Sequence, residues 1–469
     1  MKKFTFRKFI NDIHLWLGIG SGLILFIICL TGTIYVFAKE ITDWMDKEKV
    51  TISVPENANT IPVTELVALL EKEKKDTKVT GIQIPEGKDR SWLFTLTPKD
   101  ILLRRSKEER EAKLKEGKRE KSEGRKASDD KSRQKGRGAD KDSKAKNEKG
   151  KGRGGDRERI KTYYVNPYTG EVLGDTRTTS SKFFLTIMGL HRWLLLDHDI
   201  GRPITGTATL IFIFMEITGL ILWLPAKLKS WKKWSAWKAG FKIKTEARWK
   251  RINHDLHNTL GFYTFLLLTL MALTGLCFSF EWFRNGVGNV FGAKPFEDKK
   301  AVASVQSEYA GANPLSLDLI ITKANEVYPY NGDLRLSLPK DSVGPVIVYK
   351  AHTGFIASAG TDRLYLDQYT GYTLKKEPFS DKRTGEQIVA LIYPLHVGEV
   401  FGTFTKIIYF IACLIATSLP VTGTFIWINK LRKKSEKNER GKTKKKSSKK
   451  DKTSQQNASV ELPVMKSDA

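Results

Sequence analysis

Four histidines are the residues of this sequence best suited by type and spacing to chemistry. They are His14, His191, His257 and His396, and each lies at or before the start of an apolar stretch. A neutral imidazole is a good ligand for transition metals and for haem iron. Two imidazoles on opposite faces of one haem leave no open coordination position, which favours electron transfer over oxygen binding. A single histidine at a membrane edge is usually only a polar cap, so the argument depends on repetition.

The surroundings of the histidines are repeated in the chain. His14 and His257 each precede a Thr-Gly dipeptide by 17 residues, while His191 and His396 precede one by 27 and 26 residues. One Tyr-Thr-Gly turn, Tyr168–Gly170, lies between His14 and His191, and a second, Tyr369–Gly371, lies between His257 and His396. The order His, Thr-Gly, Tyr-Thr-Gly, His, Thr-Gly therefore occurs twice, and the first two of these five features are equally spaced in both copies. This repetition predicts an internal duplication of the whole chain.

Four apolar stretches must position these histidines. Residues 15–37, 204–224, 260–280 and 404–428 each supply the roughly 20 apolar residues that a helix needs to cross a bilayer. The first is too long for the apolar core of a cleaved signal peptide. Glu216 is the carboxylate inside a span, and we expect it to face protein or water. Cys29, Cys277 and Cys413 lie in three different spans, without the spacing of a metal or disulfide framework.

The formal net charge of +28 is concentrated in three tracts. Residues 104–161, 227–251 and 430–469 carry net charges of +11, +9 and +9, so the rest of the chain is close to neutral. This distribution argues against a uniformly basic nucleic-acid-binding protein. The basic N-terminus, the loop between spans two and three, and the C-terminal tail all fall on one side of a four-span protein. The positive-inside rule places that side, with both termini, in the cytoplasm.

Two large outer segments then remain. In the first, strand-like alternation covers 51–54, 79–84 and 91–97, and a helix is predicted at 63–74. In the second, a helix is predicted at 315–328 and strands at 346–350 and 355–357. Residues 104–161 are nearly all charged or small, so they are predicted to be a disordered insertion. The tail from about 435 is predicted to be disordered as well.

The duplication and the topology together pair the histidines by leaflet. His14 and His257 begin spans that start on the cytoplasmic side, whereas His191 and His396 precede spans that start outside. Each pair could hold one haem b between facing helices, and two haems would form an electron path across the bilayer. Arg192 and nearby basic residues could pair with the haem propionates. His198 and His254 are second choices as ligands, and His254 with His257 could instead form half of a zinc site.

The sequence resembles the PepSY-associated transmembrane proteins of bacteria, also called iron-regulated membrane proteins. The resemblance rests on Ile13-His14-Leu15-Trp16-Leu17-Gly18, Leu190-His191-Arg192-Trp193-Leu194, the segment Asp255–Gly261 and Leu395-His396-Val397-Gly398, with the Tyr-Val-Asn-Pro-Tyr-Thr-Gly and Tyr-Leu-Asp-Gln-Tyr-Thr-Gly turns. It implies a multi-pass protein of the bacterial inner membrane. It also implies a haem-dependent oxidoreductase that reduces ferric siderophores or related chelates in the periplasm. The long basic insertion departs from the family pattern.

The sequence therefore predicts a membrane four-helix core of two tandem two-helix halves, with two small α+β PepSY-like periplasmic domains. The expected divisions are 1–38, 39–180 with the insertion 104–161, 181–225, 226–253, 254–281, 282–388, 389–429 and 430–469. Expected partners are membrane lipid, a cytoplasmic or membrane electron donor, a ferric chelate and a second copy of the chain, with no nucleic acid. Two alternatives stay open: a PepSY-type binding or regulatory protein without redox activity, and a siderophore permease.

Overall fold

The computed structural model describes residues 5–56, 59–108, 111, 156, 158–296, 305–308 and 313–458. The chain divides into two compact units. The bundle unit comprises Met1–Thr33, Leu190–Gly275 and Phe410–Ala469, and the sheet unit comprises Ile34–Gly189 and Leu276–Tyr409. Most of the predicted insertion, residues 112–155, lies outside the described residues.

The bundle unit is built on long apolar helices. Within the described residues, four helices are long and apolar enough to cross a membrane: Phe6–Tyr35, His198–Trp223, Trp249–Ser279 and Gly402–Lys433. We call them spanning helices one to four. They confirm the four predicted spans. Each helix begins before its apolar stretch, because flanking residues such as those at 198–203 are also helical. The protein is therefore a multi-pass membrane protein.

The fourth spanning helix continues beyond its apolar part and ends at Ala458. The prediction of a disordered tail from about 435 therefore does not match the structure up to that residue. The reason lies in composition, because residues 430–458 are dominated by lysine and other good helix formers, with one glycine and no proline. Residues 459–469 lie outside the described part of the chain.

The sheet unit contains one antiparallel sheet that joins the two outer segments. In the described residues it has eight strands in the order β4-β3-β2-β1-β5-β6-β7-β8. The strands are β1 Thr77–Ile84, β2 Trp92–Pro98, β3 Lys161–Val165, β4 Val172–Asp175, β5 Asp333–Ser337, β6 Val346–Ala351, β7 Thr361–Leu366 and β8 Thr373–Glu377. The first four and the last four come from the two predicted copies, and β1 pairs with β5.

That pairing corrects the expectation of two separate small domains. A four-stranded sheet ending in β1 or β5 would leave a row of unpaired backbone groups at its edge. Pairing Ile82 with Leu336 satisfies both edges and merges the two hydrophobic faces into one core. The helices Val63–Glu73 and Leu317–Val327 cover this core, and Leu66 and Ile320 on them are fully buried. The two copies therefore fold as halves of one unit.

The two covering helices stabilise each other at their first turns. Both carboxylate oxygens of Asp318 accept hydrogen bonds from backbone amides of the other helix, at 2.7 Å from Val63 N and 3.1 Å from Thr64 N. In return, the Thr64 hydroxyl oxygen accepts the backbone N–H of Leu317 at 2.9 Å. These contacts satisfy amides that have no partner inside their own helices.

Several smaller predictions for the sheet unit fail. Residues 51–54 contribute only an isolated bridge between Thr51 and Arg90, and residues 355–357 form no strand.

The ends of the predicted disordered insertion are ordered. A helical stretch at 99–108 buries Ile101, and Arg159 pairs with Asp100 at 2.6 Å. Asp156 is buried and pairs with Arg104. Ion pairs and one apolar anchor thus fix the base of the insertion.

The remaining helices connect these elements. The structure describes helices at Ala38–Met45, Lys47–Val50, Thr179–Trp193, Trp234–Lys238, Glu281–Phe291, Thr384–Ala390 and Ile392–Val397, with 3-10 turns at Leu228–Lys232 and Phe379–Asp381.

Candidate functional site

His14 lies in spanning helix one and contacts the Thr-Gly pair of spanning helix two. Its Nδ1 atom is 2.9 Å from the Thr218 hydroxyl oxygen. That hydroxyl also lies 2.9 Å from the backbone carbonyl oxygen of Phe214, which can only accept. We assign the single hydroxyl hydrogen to the Phe214 carbonyl, so that Thr218 accepts a hydrogen bond from His14. With this assignment the imidazole proton is on Nδ1 and the lone pair is on Nε2.

His257 repeats this arrangement between spanning helices three and four. Its Nδ1 atom is 2.9 Å from the Thr422 hydroxyl oxygen, which itself donates to the carbonyl of Ser418 at 3.0 Å. The buried Asn253 side chain donates to the carbonyl of Thr422 at 3.0 Å and holds the two helices together. The same Nδ1-protonated form follows for His257. The duplication seen in sequence thus extends to individual hydrogen bonds.

The glycine of each Thr-Gly pair gives the imidazole its space. A Cβ atom at Gly219 would lie 3.3 Å from His14 Cε1, and one at Gly423 would lie 3.3 Å from His257 Cε1. Carbon atoms in good contact are about 3.5–4.0 Å apart. Each ring therefore packs directly on the backbone of the next helix, and a side chain at the glycine would displace it.

The two histidines lie close together in the bundle unit. Their ring centroids are 6.3 Å apart, and their planes are nearly perpendicular at 86°. With metal–nitrogen bonds of about 2 Å and about 1.1 Å from a ring nitrogen to its centroid, imidazoles on opposite sides of one ion have centroids about 6.2 Å apart. The observed separation is close to this value, so the distance between the two rings is compatible with one ion shared by His14 and His257.

A cavity of about 900 Å³ surrounds this pair. Residues from all four spanning helices line it, and Gly18 and Gly261 stand one helical turn after the two histidines. The loop that follows spanning helix two also contributes, because Trp223 stacks on Phe262 at 3.7 Å and donates to the carbonyl of Gly240. The basic residues that line the cavity are Arg7, Lys8, Arg251 and Lys430. The cavity combines an apolar interior with cationic groups.

His191 also contacts a Thr-Gly pair. Its Nδ1 atom is 3.0 Å from the carbonyl oxygen of Ile28 and 3.3 Å from the Thr31 hydroxyl, and its ring packs on Gly32. A carbonyl can only accept, so His191 also carries its proton on Nδ1. Burial lowers the pKa of His191, which keeps the imidazole neutral near pH 7.

The other candidate residues have the following places. His396 lies in the last turn of the helix Ile392–Val397, in the sheet unit, with its ring 5.4 Å from Phe278. Its pairing with His191 stays a prediction. His198 is half exposed beside Asp199, and His254 is half exposed beside Asp255 while also lining the cavity. The guanidinium of Arg192 lies over the Trp193 ring at 5.2 Å. Its role toward propionates also stays a prediction.

Sequence reasoning missed the role of the threonines. Thr31, Thr218 and Thr422 served only as marks of the repeat, although each contacts a histidine Nδ1 atom. The constant spacing between histidine and Thr-Gly was the available signal. A group of three or more histidine, cysteine or acidic side chains placed to hold a metal ion is not found among the residues the structure describes. This gives no support to a zinc site at His254 and His257.

The fold and this site define the class of the protein: a multi-pass membrane protein with a duplicated helical bundle, a close pair of histidines and an antiparallel sheet. The chain belongs to the PepSY-associated transmembrane family, whose profile, described as PepSY-associated TM region, matches residues 12–430. A comparison with curated proteins gives no match.

Proposed function

We propose that this protein is a haem-bearing electron-transfer protein of the bacterial inner membrane that reduces ferric siderophores or related ferric chelates. The observation that carries the proposal is the pair formed by His14 and His257. Two neutral imidazoles stand at the separation that one shared iron requires, and each is fixed by a hydrogen bond to its Nδ1 atom. Such outer hydrogen bonds orient the ring and leave Nε2 for the metal.

The cavity around the pair fits a haem. Its volume of about 900 Å³ lies at the upper end of ordinary cofactor pockets, which are about 300–1,000 Å³. Gly22 lines the cavity, and a Cβ atom there would meet no atom within 4 Å, so the helix presents a smooth face to a flat ring. Lys8 lines the same cavity and would pair with a propionate. Arg251 is already paired with Asp255 at 2.9 Å, and Lys430 lies 3.8 Å from Asp12.

Within this site the chain's own residues do three things. Thr218 and Thr422 keep the proton on Nδ1 of each histidine, so that both Nε2 atoms can ligate. The glycines beside them fix the depth at which each ring sits, and the apolar walls exclude water. A bound haem would supply a one-electron carrier whose ligand set leaves no position for oxygen.

The remaining parts of the proposal extend beyond this pair. His191 and His396 would hold a second haem b, and electrons would pass from a cytoplasmic or membrane donor to a ferric chelate outside. Reduction weakens the chelate because its hard oxygen ligands prefer the ferric ion. Support for the chelate comes from the family resemblance. Both termini would lie in the cytoplasm by the charge distribution.

Haem content of purified variants tests the proposal. We expect His257→Ala to remove about half of the bound haem and His396→Ala the other half, because each variant deletes one ligand of a different pair. His254→Ala is the matched control on the same helix as His257, since its side chain is half exposed. His198→Ala is the corresponding control for the outer pair.

Unchanged haem in His257→Ala would contradict the assignment of the inner pair. Loss of haem in His254→Ala or His198→Ala, with retention in His257→Ala, would move the ligands to the second-choice residues. A purified protein without haem would overturn the redox proposal and favour a binding or regulatory role. Uptake of a siderophore into haem-free vesicles would instead favour a permease.

A further inference from the structure

Glu216 is a half-buried residue whose carboxyl group is not used in the haem ligation. It lies in spanning helix two and lines the cavity that contains His14 and His257. One of its oxygens, Oε2, is 2.9 Å from the hydroxyl oxygen of Thr269 on spanning helix three. The other oxygen, Oε1, is buried and has no hydrogen-bond partner among the described residues. A buried carboxylate with an unsatisfied oxygen is costly, so the residue needs an explanation.

The internal duplication does not explain the presence of Glu216. Thr218 and Thr422 are equivalent in the two halves, so the position equivalent to Glu216 is Pro420. The histidines, threonines and glycines that form the ligand site are present in both copies, whereas this carboxyl group is present in one. Glu216 is therefore not part of the repeated ligand framework. Its function must be one that requires a single carboxyl group in the cavity and not one in each half.

Thr269 can hydrogen-bond either protonation state of Glu216. Its hydroxyl oxygen also lies 2.8 Å from the backbone carbonyl oxygen of Phe265. When the single hydroxyl hydrogen points to Phe265, Thr269 accepts from a protonated Glu216. When the hydrogen points to Oε2, Thr269 donates to an ionised Glu216. A rotation of one hydroxyl group thus accommodates gain or loss of a proton without any movement of the helices.

The ionised state leaves Oε1 charged and unpartnered, so a positive charge in the cavity must stabilise it. Other titratable groups that face this region are Cys29 from spanning helix one, Cys413 from spanning helix four, and His14 and His257 across the cavity. Farther along the cavity wall lie Asp12, Asp255, His254 and the four basic residues. A ferric haem with two neutral imidazoles carries one positive charge at its centre, and a ferrous haem carries none.

We propose that Glu216 is the proton acceptor that couples proton uptake to reduction of the haem held by His14 and His257. One electron from an external one-electron donor converts ferric to ferrous iron, and one proton from water converts the Glu216 carboxylate to the acid. The charge inside the bundle is then the same before and after reduction. This inference rests on the proposed function, because it requires the haem.

Potentiometric titration of the purified haem protein between pH 6 and pH 8, with dithionite and mediators, tests the inference. We expect the midpoint potential of one haem component to fall as pH rises, approaching about 59 mV for each tenfold change in proton concentration. Glu216→Gln has the same shape but cannot titrate, so it should keep its haem and lose most of this slope. Glu216→Asp should retain the slope.

A second measurement keeps the test decisive if a variant is poorly folded. The reduced-minus-oxidised infrared difference spectrum of the unmodified protein should show a protonated carboxyl band that appears on reduction. Equal slopes in Glu216→Gln and the unmodified protein, or absence of that band, would overturn the inference while leaving the haem proposal intact. Absence of haem from all preparations would instead refute the proposed function itself.

Discussion

Replacing Thr422 by valine tests the claim that a threonine hydroxyl sets the protonation of a ligating histidine. Valine nearly preserves the shape of threonine, so the packing of spanning helix four is kept. The Nδ1–H of His257, however, loses the hydroxyl oxygen that lies 2.9 Å away. The haem-free imidazole can avoid an unsatisfied donor by carrying its proton on Nε2, whereas an imidazole that ligates through Nε2 cannot. The unsatisfied donor costs about 1–3 kcal/mol, which therefore appears as a loss of about 5- to 140-fold in affinity.

Loss of an outer-shell partner typically lowers metal affinity about 10- to 100-fold, which lies within this range. We therefore expect haem affinity at this site to fall about tenfold, near the lower limit known for loss of an outer-shell partner. The assay is titration of haem into haem-depleted protein, followed by absorbance, with Thr422→Ser expected to bind like the unmodified protein.

A matched control lies four residues away on the same helix. The hydroxyl of Ser418 donates to the carbonyl of Ile415 at 2.7 Å, and Ser418 is not among the described residues that line the cavity. Ser418→Ala should therefore leave haem affinity unchanged. If Thr422→Val and Ser418→Ala bind haem equally well, the hydrogen bond from His257 does not fix the ligand, and the reasoning about its protonated nitrogen is wrong.

Two further predictions concern packing and pH. Gly423→Ala should lower haem affinity about tenfold, because overpacking costs about 1–3 kcal/mol and the added Cβ would lie 3.3 Å from His257 Cε1; an unchanged dissociation constant would contradict it. Asp367→Asn should reduce the acid sensitivity of the sheet unit, as followed by circular dichroism of the purified protein during acid titration. Burial alone would raise the pKa of Asp367, but hydrogen bonds from Thr370, Tyr369 and Glu308 outweigh burial and lower it. Its stabilisation is thus complete above the ordinary pKa of 3.8 and is lost as pH falls through the lowered value. Asn166 makes the equivalent turn in the first copy without a charge, so an identical acid transition in Asp367→Asn would contradict this assignment.

Much of the architecture could be predicted from sequence because its signals are local. Apolar length alone identifies the four spanning helices, and repeated spacing identifies the duplication and the histidines. The helices Val63–Glu73 and Leu317–Val327 were predicted to within two residues, because their apolar residues recur at helical spacing.

Other features depend on contacts between distant residues. The pairing of β1 with β5 joins segments about 250 residues apart, and no local pattern in either strand specifies that partner. Residues 51–54 alternate like a strand, but they lack a neighbouring strand and form only one bridge. The tautomer of His14 depends on the hydroxyl of Thr218 in another helix. The repeated spacing singled out the Thr-Gly pairs but did not show that their threonines contact the histidines.

The reduced-minus-oxidised absorption spectrum of the purified, unmodified protein tests the central claim most directly. If His14 and His257 grip one haem iron from both sides, the spectrum shows the sharp bands of a six-coordinate b-type haem, and carbon monoxide leaves the reduced bands unchanged because no coordination position is open. A colourless protein, or a haem that readily binds carbon monoxide, would contradict the account.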